Sequence, residues 1–518
     1  MKKLDLKSSI DYIYNILLGI LIISGLLELF IFPSWDNFLG ISVSIVSLIL
    51  YGKYVFKLSV MRRRPVSFLS FTALILFMYL PLPITLLDGN EMSHHLYNPK
   101  TTYLLQLCFF ACCILAFNVA GTYTENHHGI RRLLHQFGFF TTPSSSQLWT
   151  LGFIGWGFKL AILGSQFSGE EIYQAGQGSL SLFAVLIYAP LLILFKPLIG
   201  GEPTSAFSKV IVWGYTFFMM IVLISTNSRN QVIMPLLIVL ICALLTILYK
   251  RKVIVSAFNV VMAFLLFFIV AGPLSDLAYA MLIARSQRQN TKFTVLLQTT
   301  MDIYKDKEKL YKLKRIADRS RADGIYVQTN DWNENYVSSI FLNRVCNYRV
   351  VDASIYHAQR AGLHNQAMVD DFMTRLMIMF PQPVVDFLFG HIDKAKYAYS
   401  PQDKLYSVSR NSPLHVSYIV GGDIGLALAT FGMLAFPLIF LIYLLEFIVF
   451  DNLVYPHHNK MVFSTLVLID IYSTYFLRFQ VASGLFSHVS FLLWGFPLKT
   501  IMLLLVYNVV RFIVPSSR

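Results

Sequence analysis

Apolar and polar positions in this chain alternate on the scale of whole helices. Continuous apolar runs recur at 12–33, 38–58, 66–88, 102–122, 147–166, 179–199, 208–226, 231–249, 253–275, 419–450, 461–482 and 485–513. Each is long enough, as a helix, to cross about 30 Å of hydrocarbon. Because the runs are continuous rather than alternating residue by residue, a transmembrane barrel is excluded. The pattern predicts an all-α polytopic membrane protein of about 12 transmembrane helices.

One long polar stretch, Ser275 to Ser412, interrupts the pattern. It divides the chain into an N-terminal transmembrane block over 1–275, a loop over 276–412 and a C-terminal transmembrane block over 413–518. The loop is itself periodic. Thr294 to Ala317 places Leu296, Leu297, Ile303, Leu310, Leu313 and Ile316 at helical spacing. Glu334 to Arg360 does the same with Val337, Ile340, Phe341, Val345 and Ile355, and Ala367 to Phe380 forms a third helical pattern stopped by Pro381 and Pro383.

Composition agrees with the membrane assignment. The chain is 56% hydrophobic and 14% charged, whereas a soluble domain carries about 25% charged residues. Mean hydropathy is +0.60. The net charge of +14 comes from basic residues scattered among the runs. That placement fits topology signals and affinity for anionic lipid, and gives no nucleic-acid interface. The five cysteines, Cys108, Cys112, Cys113, Cys242 and Cys346, leave no pair inside the loop for a disulfide and no zinc-like spacing with histidine. The first run, preceded by Lys2, Lys3 and Lys7, is too long for a signal-peptide core and reads as an uncleaved span.

Loop charge sets the orientation. With the N-terminus inside, Arg62, Arg63, Arg64, Arg131, Arg132, Lys209, Lys250, Arg251, Lys252 and Lys460 all fall in inner connections, while short outer connections hold only Lys100, Arg229 and Arg478. Both termini are then cytoplasmic and the large loop is external. The loop's own basic excess escapes the rule because of its length, and an anionic ligand would account for it.

Four groups of residues could carry chemistry. Arg229, in the tight turn Thr226 to Gln231, stands at a helix N-terminus, where backbone N–H groups and a guanidinium both favour an anion; the plainer alternative is a snorkelling arginine. Arg344, Arg349 and Arg360, with Asp352 and His357 among them, form a basic set suited to phosphate or sugar, or else a solvated face with local pairing of Arg349 and Asp352. The loop exit offers His415 as a base or phosphate donor, then Tyr418, Gly421, Gly422, Asp423, Gly425 and Gly432; anchoring at the interface and close helix packing are the alternatives. Lys159 and Asp470 lie near mid-membrane, where an ion pair between them is the expected structural role. Arg478 lies at the outer end of the Asp470 run and could share an external cavity with Arg229. No nucleotide-binding P-loop, early D-x-D motif or inverted repeat appears.

At these residues the chain resembles the bacterial O-antigen polymerases (Wzy type) and, more distantly, the O-antigen ligases. The resemblance rests on many spans interrupted late by one large loop, on the Asn227-Ser228-Arg229 turn, and on His415-x-x-Tyr418 followed by Gly422-Asp423-Ile424-Gly425 and Gly432. Asp423 stands where that family commonly has glutamate, and two glycines precede it where one small residue would serve. The resemblance implies a GT-C-like helical bundle in the bacterial inner membrane with a periplasmic loop. It implies a metal-independent glycosyltransferase without cofactor. Such an enzyme moves a growing glycan from undecaprenyl pyrophosphate onto a new lipid-linked repeat, for lipopolysaccharide or a related surface polysaccharide. Its partners would be the lipid-linked oligosaccharide, membrane lipid and a chain-length regulator. On that reading His415 and Arg229 are catalytic, and Arg478, Arg344, Arg349, Arg360, His357, Tyr418 and Asp423 bind substrate or pyrophosphate. A flippase of lipid-linked oligosaccharide and a ligase-like glycosyltransferase are the alternatives.

Overall fold

The structure is a computed structural model and describes residues 6–167, 181–224, 229–250, 276–277, 280, 293–308, 310–312, 332, 336–337, 342–344, 346–457, 460–479 and 484–515. The main helices of the first block are α1 (Leu6–Ile31), α2 (Trp35–Tyr54), α3 (Pro65–Tyr79), α4 (Pro81–Leu87), α5 (Pro99–Asn126), α6 (Ser145–Phe167), α7 (Ser181–Ile199, wound as a 3-10 helix from Val185 and kinked at Phe195), α8 (Ala206–Ile224) and α9 (Arg229–Lys250). The loop contributes α10 (Phe293–Lys305), α11 (Tyr348–Ala361), α12 (Gln366–Ile378), α13 (Gln382–Phe389) and α14 (Pro401–Arg410). The last block contains α15 (Asp423–Phe431), α16 (Ala435–Asp451) and α17 (Gly484–Ile513).

Eight stretches among the described residues are long and apolar enough to cross a membrane, with α15 and α16 counted together as one, and α3 with α4 makes a further one bent by 43°. The bend falls where Pro81 follows Leu80, since proline cannot donate the next ladder bond. The protein is therefore a multi-pass helical membrane protein. The run at 253–275 lies outside the described residues.

The run at 461–482 forms no regular span. A two-stranded antiparallel hairpin, β1 (Val454–His457) with β2 (Lys460–Phe463), opens it. Short helical turns follow: α-helical at Thr465–Leu468, π-wound at Ile471–Phe476 and 3-10 at Leu477–Phe479. Asp470 stands at the break, where its carboxylate takes the hydroxyls of Ser473 and Thr474 and the ammonium of Lys499. Such local side-chain bonding competes with a regular ladder.

Two carboxylates mark the ends of the bundle. At one end Asp451 accepts from Arg64 Nε at 2.6 Å, Ser67 Oγ at 2.5 Å and Thr124 Oγ1 at 3.1 Å, and Arg131 donates to the Asp451 carbonyl at 2.9 Å. The Arg64 guanidinium also lies 3.9 Å from the Phe117 ring centroid. At the other end Asp352, on α11, accepts from the backbone N–H groups of Tyr97 and Asn98 at 2.5 and 3.0 Å and from Thr102 Oγ1 at 2.8 Å. Thr102 and Thr124 are both on α5, whose 28 residues span about 42 Å. The loop helix α11 thus sits on the end of the bundle opposite Arg64 and Arg131.

Glycine makes that seating close. A Cβ on Gly425 of α15 would come within 2.4 Å of the Ser354 carbonyl carbon of α11, and one on Gly422 within 3.1 Å of the Val351 Cα. These glycines serve close helix packing, backbone on backbone.

The loop helices differ from the sequence pattern in two places. The helix expected over 294–317 runs as α10 only to Lys305 and breaks at Asp306, and 313–317 lie outside the described residues. The helix expected over 334–360 starts only at Tyr348, because Asn347 caps it by accepting from Val350 N at 3.2 Å. Arg344 closes a separate 3-10 turn, Leu342–Arg344. The Arg344, Arg349 and Arg360 set is therefore not one helix face. The third expected helix appears as α12, and α14 carries a capping box from Ser400 to Asp403.

The span expected at 419–450 is not one rod. Tyr443 Oη donates to Asp423 Oδ2 at 3.1 Å, whereas 20 residues of straight helix would hold them about 30 Å apart. The chain turns at Gly432, whose φ of +58° and ψ of −138° break the helix. α15 and α16 form a V with its open side toward Asp423.

Candidate functional site

The site begins at the loop exit. α14 ends at Asn411 in the left-handed conformation, and residues 412–422 form a strap without regular structure. Asp403, buried at the start of α14, accepts from the backbone N–H groups of Ser417, Tyr418 and Ile419 at 3.3, 3.0 and 3.2 Å. Tyr418 is held at φ +52° while its side chain stays 66% exposed. Trp332 Nε1 then fixes the Val420 carbonyl at 2.9 Å. Within three residues the strap passes from the exposed Tyr418 to the buried Gly421 and Gly422, and α15 starts with Asp423.

Below the strap a buried set of titratable groups meets in the mouth of the V. His488, wholly buried on α17, places Nε2 3.4 Å from Asp423 Oδ2 and Nδ1 3.0 Å from Glu446 Oε2. Tyr443 joins through its bond to Asp423, with its ring 4.9 Å from the imidazole. Phe109 closes the edge of the Tyr443 ring at 5.6 Å. Asp423 is 5% exposed, and its Oδ1 has no hydrogen-bond partner among the described residues. Arg478 stands alongside: its Nη1 donates to the Ser487 carbonyl at 3.1 Å and its guanidinium lies 3.8 Å from the Phe491 ring centroid, while Nε has no acceptor among the described residues. The Ser487–His488 peptide therefore links the arginine to the carboxylate–imidazole–carboxylate chain. Ionised groups this deep persist only when paired.

Two residues expected from sequence, Asp423 and Arg478, are brought together around His488. His415 and Tyr418 remain exposed on the strap above them. His357 lies elsewhere, fully buried in α11, with Nδ1 2.7 Å from Ser409 Oγ and its ring stacked 5.0 Å from Trp332. Arg349 is buried in α11 and Arg360 is exposed near its end. Asp352 directs its hydrogen bonds to Tyr97, Asn98 and Thr102. Burial pushes the Asp352 carboxyl above the ordinary carboxylate range, and these bonds, followed by the Arg349 charge, pull against that shift. Arg229 is the first residue of α9 and Arg344 the last of its turn; their side chains lie outside the described residues.

The expected pairing of Lys159 with Asp470 does not form. Lys159 donates to Gln231 Oε1 at 2.5 Å, and Asp470 pairs with Lys499. A nearer cation on the next span outcompetes the more distant lysine. Sequence reading also passed over Glu446, His488 and Lys499. The signal was available, since all three are ionisable residues inside apolar runs.

Among the described residues no group of three or more His, Cys, Asp or Glu side chains is arranged to hold a metal ion. Comparison with protein-family models, curated proteins and solved structures found no match for the chain.

Proposed function

We propose that the protein is a polymerase of undecaprenyl-pyrophosphate-linked oligosaccharide repeats, acting on the outer face of the bacterial inner membrane. The observation that carries this proposal is the grouping of Arg478 with Asp423, His488 and Glu446 directly beneath the loop exit. Glycosyl transfer from a lipid pyrophosphate breaks the bond from the anomeric carbon to the phosphate oxygen, and the electron pair leaves with the pyrophosphate. A guanidinium held in place, as Arg478 is by the Ser487 carbonyl, stabilises that developing charge. The acceptor hydroxyl gives up its proton as the new glycosidic bond forms. On this reading His415, which is exposed on the strap, takes it from a sugar bound under the loop. Tyr418, held outward, offers an aromatic face to a sugar ring. The lipid tail would enter between spans, with the loop helices covering the glycan.

Transport of lipid-linked oligosaccharide without lengthening would draw on the same buried charges, since a carboxylate–imidazole–carboxylate chain inside a membrane domain also suits proton coupling. Reconstitution into vesicles with a defined lipid-linked repeat separates the two. Polymerase activity lengthens the glycan without any ion gradient; a carrier moves it unchanged.

A further inference from the structure

The Asp423, Glu446, His488 and Arg478 group poses a question of charge. Glu446 and His488 are fully buried, Asp423 is 5% exposed, and Asp451, the other buried carboxylate of α16, is already matched by Arg64 at the opposite end. Among the described residues the groups around His488 and Arg478 are Asp423 on α15, Tyr443 and Glu446 on α16, Cys113 on α5, and Tyr475 and Asp470 beside Arg478, with the Asp470 charge already matched by Lys499. Tyrosine and cysteine are neutral at ordinary pH. With a neutral imidazole the rest sum to one uncompensated negative charge in a low-dielectric interior, which is strongly unfavourable. With an imidazolium the two carboxylates and two cations cancel. Geometry agrees: Nδ1 faces Glu446 at 3.0 Å, and Nε2 lies 3.4 Å from both Asp423 Oδ2 and Tyr443 Oη; the Tyr443 proton goes to Asp423, so Nε2 meets two acceptors and each ring nitrogen donates.

We propose that His488 is an imidazolium in the resting protein and that this neutral quartet is a proton-coupled anion site: an anion binding at Arg478 is balanced by a proton taken up on the Asp423–His488–Glu446 chain. The anion draws on the Arg478 charge that the quartet otherwise counts, so one carboxylate is left uncompensated and becomes protonated. Asp423 Oδ1, which has no partner among the described residues, is the atom open to that proton. The coupling rests on the pyrophosphate-donor proposal above; the resting imidazolium does not. Coupling of this kind is reciprocal, so acid pH tightens anion binding.

Two measurements on the full-length protein in detergent test it. With histidine labelled by nitrogen-15, His488 is expected to show two protonated ring nitrogens at neutral pH. The signal is assigned by its loss in His488→Gln and, should that variant fail to fold, by its move to a neutral ring in Glu446→Gln. An unprotonated ring nitrogen in the wild type overturns the proposal whatever the protein's activity. Calorimetry of inorganic pyrophosphate binding in buffers of different ionisation enthalpy then counts protons. The wild type should take up about one more proton per anion than the double variant Asp423→Asn with Glu446→Gln, in which no carboxylate is left to be uncompensated when the anion takes the Arg478 charge. Equal counts, or no binding, overturn the coupling. Absent binding beside an intact imidazolium also counts against the pyrophosphate donor, whereas equal counts with intact binding leave that donor standing.

Discussion

Tyr443 donates its hydroxyl to Asp423 across 3.1 Å although 20 residues separate them in the chain. The bond exists because Gly432 turns the chain between α15 and α16. It brings the residue that ends the loop exit into the mouth of a V whose other arm carries Glu446. A chain that ran straight from Asp423 to Asp451 would place Asp423 far from His488, and the buried site would not form.

The turn makes a direct prediction. Gly432→Val should destabilise the V, because a β-branched residue at φ +58° is strained. Thermal unfolding of the purified protein should show a lower midpoint. An unchanged midpoint would mean that the turn tolerates a side chain.

Close packing of α11 on α15 gives a second test. Gly425→Ala sets a methyl against the Ser354 backbone, which cannot retreat as a side-chain tip would. Overpacking of this kind costs about 2 kcal/mol. The loss should appear in detergent unfolding curves, and Gly19→Ala, which meets nothing within 4 Å, is the control.

The two end carboxylates should respond differently to neutral replacement. Removing Arg64 leaves Asp451 buried without its counter-charge, a loss of about 3 kcal/mol. The double variant Arg64→Met with Asp451→Leu should recover much of that stability. Asp352→Ala strands two backbone N–H groups and the Thr102 hydroxyl, a loss of about 2 kcal/mol or more. Equilibrium unfolding measures all three. Recovery that fails in the double variant would show that the pair does more than balance charge.

Activity should separate the site from its surroundings. Arg478→Ala and Arg229→Ala should each abolish chain elongation while the protein stays in the membrane, and His415→Ala should reduce it severely. Normal-length polysaccharide on gels from the arginine variants would remove them from the pyrophosphate role. Full activity in His415→Ala would remove histidine as the base. Arg360→Ala, on the exposed end of α11, should leave length unchanged, and shortened chains would return that residue to the binding site.

Much of the frame was legible in the chain because long apolar runs leave a membrane helix few alternatives. The loop helix at Gln366–Ile378, the glycine packing at Gly425 and the separation of Arg64 and Arg131 from the loop all follow from local pattern and charge. What sequence could not supply was the pairing of distant residues. Asp470 chose Lys499 over Lys159, and His488 met Asp423 and Glu446, through three-dimensional proximity that no spacing encodes. The V was hidden for a related reason: α15 and α16 read as one apolar run, and only the backbone angle at Gly432 reveals the turn. Asp352 was visible as a charge beside Arg349, but its task of holding Tyr97 and Asn98 depends on contacts 255 and 254 residues away in the chain.

The most direct test of the proposed function is reconstitution of the purified protein with a lipid-linked oligosaccharide repeat, without nucleotide or ion gradient, and separation of the products by size. The account predicts a ladder of lengthened lipid-linked glycan in the wild type and only the single repeat with Arg478→Ala. Single repeats from the wild type, moved across the vesicle membrane but never joined, would contradict it.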